Sequence, residues 1–153
     1  MVIGFTGTRK GMTDKQKYVL AKLLSRLKSL GYDMFHHGDC VGSDEQAFQI
    51  ATEKGFKTFS HPAILTDQRA FTLSDIEDVP REPLVRNNHI VYGCDVLIAT
   101  PKGDKEEVRS GTWYTIRRAR FIKRSLIIIF PEGLVRQENF YGKIMYKEAQ
   151  GEE

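Results

Sequence analysis

Three short stretches of the chain join glycine to hydroxyl and charged residues, the composition from which phosphate-binding loops are made. The first is Gly7-Thr8-Arg9-Lys10-Gly11. Glycine lets the backbone turn tightly and come close to a ligand. The Thr8 hydroxyl can donate a hydrogen bond, and the Arg9 guanidinium can fork onto a phosphate or carboxylate. The second, Gly38-Asp39-Cys40-Val41-Gly42-Ser43-Asp44-Glu45, sets Gly42 and Ser43 at a helix start, where unpaired amides attract anions. Asp39, Asp44 and Glu45 there can accept hydrogen bonds from sugar hydroxyls, while Ser43 and Asp44 are equally good helix caps. The third, Arg109-Ser110-Gly111-Thr112-Trp113, makes the best anion cradle: bare amides, two hydroxyls and the positive end of a helix dipole. None of the three has G-x-G-x-x-G or G-x-x-x-x-G-K-[ST] spacing, so neither a dinucleotide fingerprint nor a Walker loop is present.

Arg86-Asn87-Asn88 adds polar side chains that can point into the same cleft, with a solvated helix face as an equal reading for Asn88. Trp113 can wall the pocket, though packing on the sheet is the commoner fate of a lone tryptophan. His36, His37, His61 and His89 lack metal-binding spacing with matching carboxylates. Cys40 and Cys94 are two isolated thiols, neither a disulfide framework nor a zinc site. No metal and no resident cofactor is expected. Arg117, Arg118, Arg120, Lys123 and Arg124 crowd one segment and read as a solvated helix face, with a subunit or nucleic-acid surface as the lesser reading.

The elements that must position these loops follow from periodicity. Val2 to Phe5 is an apolar strand that ends at Thr6-Gly7. Thr13 and Gln16 have capping-box spacing, and Leu20, Leu23, Leu24, Leu27 and Leu30 repeat at helical intervals up to Gly31. A second strand spans Tyr32 to His37. A second capping box, Ser43 with Gln46, opens a helix that closes at Gly55, and Lys57 to His61 is a third strand. Between Pro62 and Pro83 the periodicity fails, giving a long loop with room for one helical turn; such loops are uncommon and often functional. Helix resumes at Pro83 and runs to Gly93. Asp95 to Ala99 is a buried strand, Pro101 to Arg109 a charged loop, Ser110 to Arg124 a helix, and Ser125 to Phe130 the last strand. Apolar strands alternating with helices predict an α/β fold: a Rossmann-like, doubly wound, mostly parallel sheet of about five strands in three α/β/α layers. Ligands of such sheets bind beyond the carboxyl ends of the strands, where the strand order reverses. The domain is expected over residues 1–131, with 132–153 a tail of undetermined structure.

Composition sets the outer limits. With 153 residues, 41% hydrophobic and 28% charged, one globular domain is the natural expectation. The longest apolar run, Leu126 to Phe130, falls far short of the roughly 20 residues of a membrane span. The N-terminus does not read as a signal peptide, which places the chain in the cytoplasm. The net charge of +3 permits an anionic ligand without demanding nucleic acid.

In order along the chain, the strand leading to Gly7-Thr8-Arg9, Gly38-Asp39 with Gly42, Arg86-Asn87 before Cys94-Asp95-Val96-Leu97-Ile98, and Ser110-Gly111-Thr112 resemble the SLOG superfamily. That superfamily unites LOG-type phosphoribohydrolases with the nucleotide-binding domain of DNA-processing protein A. The resemblance implies a Rossmann-like sheet, frequent homodimers, and a ligand carrying a phosphorylated ribose or related nucleotide. Gly111 and Thr112 match the family's glycine–threonine turn, Arg86 roughly matches its catalytic arginine, and Thr115 occupies the position of its catalytic glutamate. A cradle without that carboxylate favours binding of a nucleotide-derived small molecule. The second reading is a nucleotide N-glycoside hydrolase, which needs a carboxylate near the anomeric carbon; Glu45, Glu106 and Glu107 are the candidates, with Asp39 in reserve. The third is single-stranded nucleic-acid binding, which the basic helix supports and the modest net charge does not.

Overall fold

The computed structural model describes residues 1–140. Its elements, in chain order, are β1 (Val2–Gly7), α1 (Asp14–Ser29), β2 (Met34–His37), α2 (Ser43–Glu53), β3 (Lys57–Ser60), a 3₁₀ turn (Thr66–Gln68), β4 (Ile76–Glu77), α3 (Pro83–Tyr92), β5 (Val96–Thr100), α4 (Gly111–Phe121), β6 (Ser125–Ile129) and β7 (Val135–Glu138). They build one sheet in the order β4-β3-β2-β1-β5-β6-β7. All neighbouring pairs are parallel except β6 and β7, which run antiparallel with Ile129 opposite Val135. The strand order reverses between β1 and β5, because the chain first winds outward through β2 and β3 and then returns to the other side of β1.

Alternation along the strands divides the core in two. Ile3 and Phe5 of β1, Val96 and Ile98 of β5, and Ile127 and Ile129 of β6 pack with the leucine face of α1 and with Ala47 and Ala51 of α2. Leu97, Ala99, Leu126 and Ile128 point the other way, against Ile90 and Val91 of α3 and Trp113, Ile116 and Ala119 of α4. The period of two in a strand makes this three-layer arrangement follow from five fully buried β5 residues. The Thr13–Gln16 capping box forms as its spacing predicts. Gln16 does more than cap: its buried amide donates to Pro101 O at 3.0 Å and Ile129 O at 2.9 Å, tying α1 to the ends of β5 and β6.

Two strands exceed the five expected, and both lie at the edges. β4 has two residues inside the aperiodic 62–83 segment, and β7 takes the sheet past Pro131 with the mostly polar sequence VRQE. Neither carries the apolar run or alternation that marks a strand in sequence. The remainder of the expected tail, residues 141–153, lies outside the described residues.

Candidate functional site

A cleft of about 430 Å³ opens beyond the carboxyl ends of β1 and β5, a volume within the range of small-molecule sites. Its walls come from Gly7 to Lys10, Gly38 with Cys40 and Asp44, the Pro83-Leu84-Arg86-Asn87-Ile90 face of α3, and Lys102 with Glu107 and Arg109 to Thr112.

One wall is fixed by two close backbone approaches. A Cβ on Gly7 would lie 2.3 Å from Thr100 Oγ1 and 2.5 Å from Ser43 Cβ, so only glycine fits. Gly42, at φ +90°, has room for no Cβ beside the Arg9 carbonyl. Ser43 donates both its N–H and its hydroxyl to Thr8 O, at 3.1 and 2.6 Å. The second expected capping box therefore does not form: Gly42 is the N-cap, and it supplies no side-chain bond. Gly42 and Ser43, read in sequence as an anion-binding helix start, instead clamp the first loop and do not line the cleft. Thr8 Oγ1 accepts from Lys10 N at 3.2 Å and keeps its own proton for another acceptor.

The opposite wall is the start of α4. Ser110 Oγ accepts from Trp113 N at 3.2 Å, which is ordinary capping, and Ser110 N reaches Glu107 O at 3.4 Å. The amides of Gly111 and Thr112 have no acceptor among the described residues. Asn87 stands beside them: a Cβ built on Gly111 would be 3.9 Å from Asn87 Nδ2. Arg86 Nε donates to Asn87 Oδ1 at 2.6 Å, so the amide oxygen is occupied and the NH₂ group is left as a donor next to the two amides. Five cationic side chains (Arg9, Lys10, Arg86, Lys102, Arg109) line the cleft against two carboxylates, Asp44 and Glu107. Glu107 lies 3.6 Å from Lys102, whereas Arg9, Lys10 and Arg109 make no ion pair among the described residues. The balance favours an anion.

Arg86 is buried and anchors the floor. Its Nη1 donates to Gly38 O and, at 3.1 Å, to His61 O, and its Nη2 lies 3.6 Å from Cys40 Sγ. Behind it, His36 Nδ1 and His61 Nε2 are 2.8 Å apart, and His61 Nδ1 is 3.5 Å from Asp78 Oδ2. His37 accepts from Asp39 N at 3.0 Å through Nδ1 and meets Ser74 Oγ at 2.9 Å through Nε2. Burial pulls the imidazoles well below the usual histidine range, to about 4 for His36 and His61 and about 3 for His37. They are neutral, packed histidines.

The structure separates the sequence candidates. Asp39 is fully buried in a left-handed backbone conformation, its carboxylate accepting from Arg69 Nε at 2.7 Å and from Thr72 N and Oγ1 at 2.9 and 2.8 Å. It staples the 62–83 segment and has no lone pair facing the cleft. Glu45 does not line the cleft either; each helical residue rotates about 100°, so Asp44 faces in and Glu45 turns away. Glu106 is on the surface, 2.8 Å from Arg117. Thr115, in the place of the family's catalytic glutamate, is buried and returns its hydroxyl to Gly111 O at 2.8 Å. Asn88 accepts from Tyr114 OH, away from the cleft, and Trp113 packs in the core. The basic helix is largely satisfied locally, with Arg120 paired to Glu138 by two bonds at 2.9 and 2.8 Å.

Asp44 differs from the rest. Burial lifts its carboxyl to about 6, with the Arg86 charge and the Cys40 and Gly38 amides acting in the opposite sense. Lys102, Leu84 and Ile90 line the cleft without having been picked from the sequence. Leu84 and Ile90 stand three residues either side of Asn87, and that spacing is the signal that would have found them.

Nine chains of solved structures match this architecture, although no family model and no curated protein matches the chain. The molybdenum cofactor binding protein from Rippkaea orientalis has a TM-score of 0.67 at 24% identity, over 84% of this chain and 76% of that one. The molybdenum cofactor carrier protein from Chlamydomonas reinhardtii has a TM-score of 0.62 at 19% identity, over 83% and 75%. DNA processing protein A from Streptococcus pneumoniae has a TM-score of 0.61 at 18% identity, over 97% of this chain and 53% of that one. These likenesses are of fold: a Rossmann-like, mostly parallel sheet between helices. The chain spans about half the length of DNA processing protein A, and its cleft lies at the strand-order reversal of a sheet shared in fold with these proteins. No described helix is long and apolar enough to cross a membrane. Among the described residues no group of three or more His, Cys, Asp or Glu is placed to hold a metal ion.

Proposed function

We propose that the cleft binds a phosphate-bearing small molecule, a nucleotide or a nucleotide-derived compound carrying a phosphorylated ribose. The carrying observation is the convergence of two unpaired amides, Gly111 N and Thr112 N, with the oriented Asn87 NH₂ on a cleft of cationic character. An oxyanion there receives three donors and the positive end of α4 without side-chain rearrangement. Thr8 and Arg9 face the same space from the first loop and fit the remaining oxygens. Arg86, through its bond to Asn87, is a positioning residue for the cradle.

Binding is favoured over bond cleavage because Thr115 is tied to its own helix and Glu45 lies outside the cleft. The reading carries with it the cytoplasmic setting and the homodimer that the SLOG resemblance implies. Mass spectrometry of small molecules released from the purified protein, followed by calorimetric titration with nucleoside phosphates, tests it. Gly111→Asp sets a carboxylate against the cradle and is expected to weaken any phosphate ligand at least tenfold. Failure of every phosphate compound to bind, or equal binding by the variant, would overturn the reading.

A further inference from the structure

Asp44 is the second residue of α2 and only 5% exposed, yet it borders the cleft. An acidic residue in a first helical turn needs no explanation when solvated. Burying it does. Oδ2 accepts from Cys40 N at 3.2 Å, but Oδ1 has no hydrogen-bond partner among the described residues. Nor is Asp44 in ion-pair contact with Arg86, whose donors are directed to Gly38, His61, Asn87 and Cys40. Native folds satisfy nearly all their buried polar atoms, so a buried, unpaired carboxylate oxygen on a residue that borders the cleft is an acceptor left for something that is not part of the chain.

Resting on the cleft reading above, we propose that Asp44 Oδ1 is the second anchor of the ligand, accepting a hydrogen bond from an O–H or N–H of its sugar or ring. The position suits that role. Asp44 sits by Gly38 at the end of β2, whereas the phosphate cradle follows β5, and β1 lies between them. Two strand spacings, about 10 Å, separate those strand ends, the length of a mononucleotide. A bare anion cannot reach both anchors. The carboxylate also repels a second phosphate, so Asp44 selects for a donor at the far end of the ligand.

Asp44→Asn tests this with little change of shape. The amide oxygen can keep the Cys40 bond, which leaves an NH₂ where Oδ1 stood, a donor in place of an acceptor. Four probes are titrated by calorimetry into the wild type and the variant: inorganic phosphate, ribose 5-phosphate, GMP, and 2′,3′-dideoxyguanosine 5′-monophosphate. The expected result is phosphate binding that is unchanged or tighter in the variant, because a negative charge has gone, with at least tenfold weaker binding of the probe that carries the donor. Loss for ribose 5-phosphate and GMP but not the dideoxy compound assigns the donor to a sugar hydroxyl. Loss for both guanine compounds but not ribose 5-phosphate assigns it to the ring. Equal or tighter binding of all four by the variant, or a uniform fall that includes phosphate, overturns the proposal and leaves the phosphate cradle standing. So does a wild type that gains nothing from sugar or ring over phosphate. A wild type that binds none of the four removes the cleft reading and this one with it.

Discussion

Asp39, just after β2, and Asp44, five residues later in the first turn of α2, are both at least nine-tenths buried, and the fold treats them in opposite ways. Asp39 has a guanidinium, an amide and a hydroxyl on its two oxygens. Asp44 has backbone amides alone for partners, with Cys40 N on Oδ2 at 3.2 Å, and its Oδ1 is left without a hydrogen bond. Asp39 compensates its own desolvation within the protein, and its contacts order the long segment after β3. Asp44 carries a desolvation penalty that the protein leaves standing. Burial alone does not separate a structural carboxylate from one directed at a ligand; the count of satisfied lone pairs does.

The contrast can be broken most forcefully at Asp39. Asp39→Ala leaves the largely buried Arg69 with only the half-exposed Glu77 as an ionic partner, frees Thr72 as well, and is expected to lower unfolding free energy by about 3 kcal/mol in urea denaturation. A loss below about 1 kcal/mol would show that Asp39 is no staple. The histidines beside it give the next effect. His36, His37 and His61 are held neutral, with folded values of about 4, 3 and 4, so the unfolded chain takes up their protons first as the pH falls below the ordinary histidine range. Their contribution is fully present above about pH 6.5 and is lost as pH falls towards 4, against the Asp78, Asp39, Arg86 and His89 charges that face them. Asp44 acts in the opposite sense between about pH 4 and 6, since its folded value of about 6 is raised. Three imidazoles outweigh one carboxyl, and denaturation curves at pH 7 and pH 4.5 should show a net loss of about 2–4 kcal/mol. Stability that rises across that interval would contradict the burial of the cluster.

Asp44→Asn sharpens the comparison from the other side. Without its ligand the variant is expected to be more stable than the wild type at pH 8 by about 1–3 kcal/mol. The gain should shrink as the pH falls from 6 towards 4, where the wild-type carboxyl is protonated in the folded state and the unfolded one is only beginning to follow. A destabilised variant at pH 8 would mean that Asp44 is satisfied after all. The smallest effect belongs to Glu45→Gln, which should change stability by less than about 0.5 kcal/mol and leave ligand titrations unaltered. Any loss of binding there would put Glu45 back in the cleft.

The features legible in sequence were those written in consecutive residues. Gly7 after an apolar strand and Ser110-Gly111-Thr112 before a helix announce themselves locally, and the strand–helix alternation fixes where such loops must meet. Asp39 was misread because its partners, Arg69 and Thr72, come some thirty residues later in a segment with no periodicity. Ser43 was misread because its hydroxyl crosses to the first loop, a tertiary contact that its good capping propensity conceals. Asp44 and Glu45 are equivalent on paper, and only the rotation of α2 against the sheet tells them apart. The edge strands escaped for a simpler reason: β4 is two residues long, and β7 is too polar to show which face is buried.

The clamp between Arg9 and Gly42 leaves that wall with no freedom to move, since backbone abuts backbone there. Across the cleft, the stretch from Lys102 to Arg109 is mostly solvent-facing, and Gly103 has nothing within 4 Å of where a side chain would begin. A lineage or an engineer seeking to fit a bulkier or smaller guest would find one rigid jaw and one adjustable jaw. Insertions and replacements at 102–109 are where guest range can diversify while the hinge-less half keeps its shape.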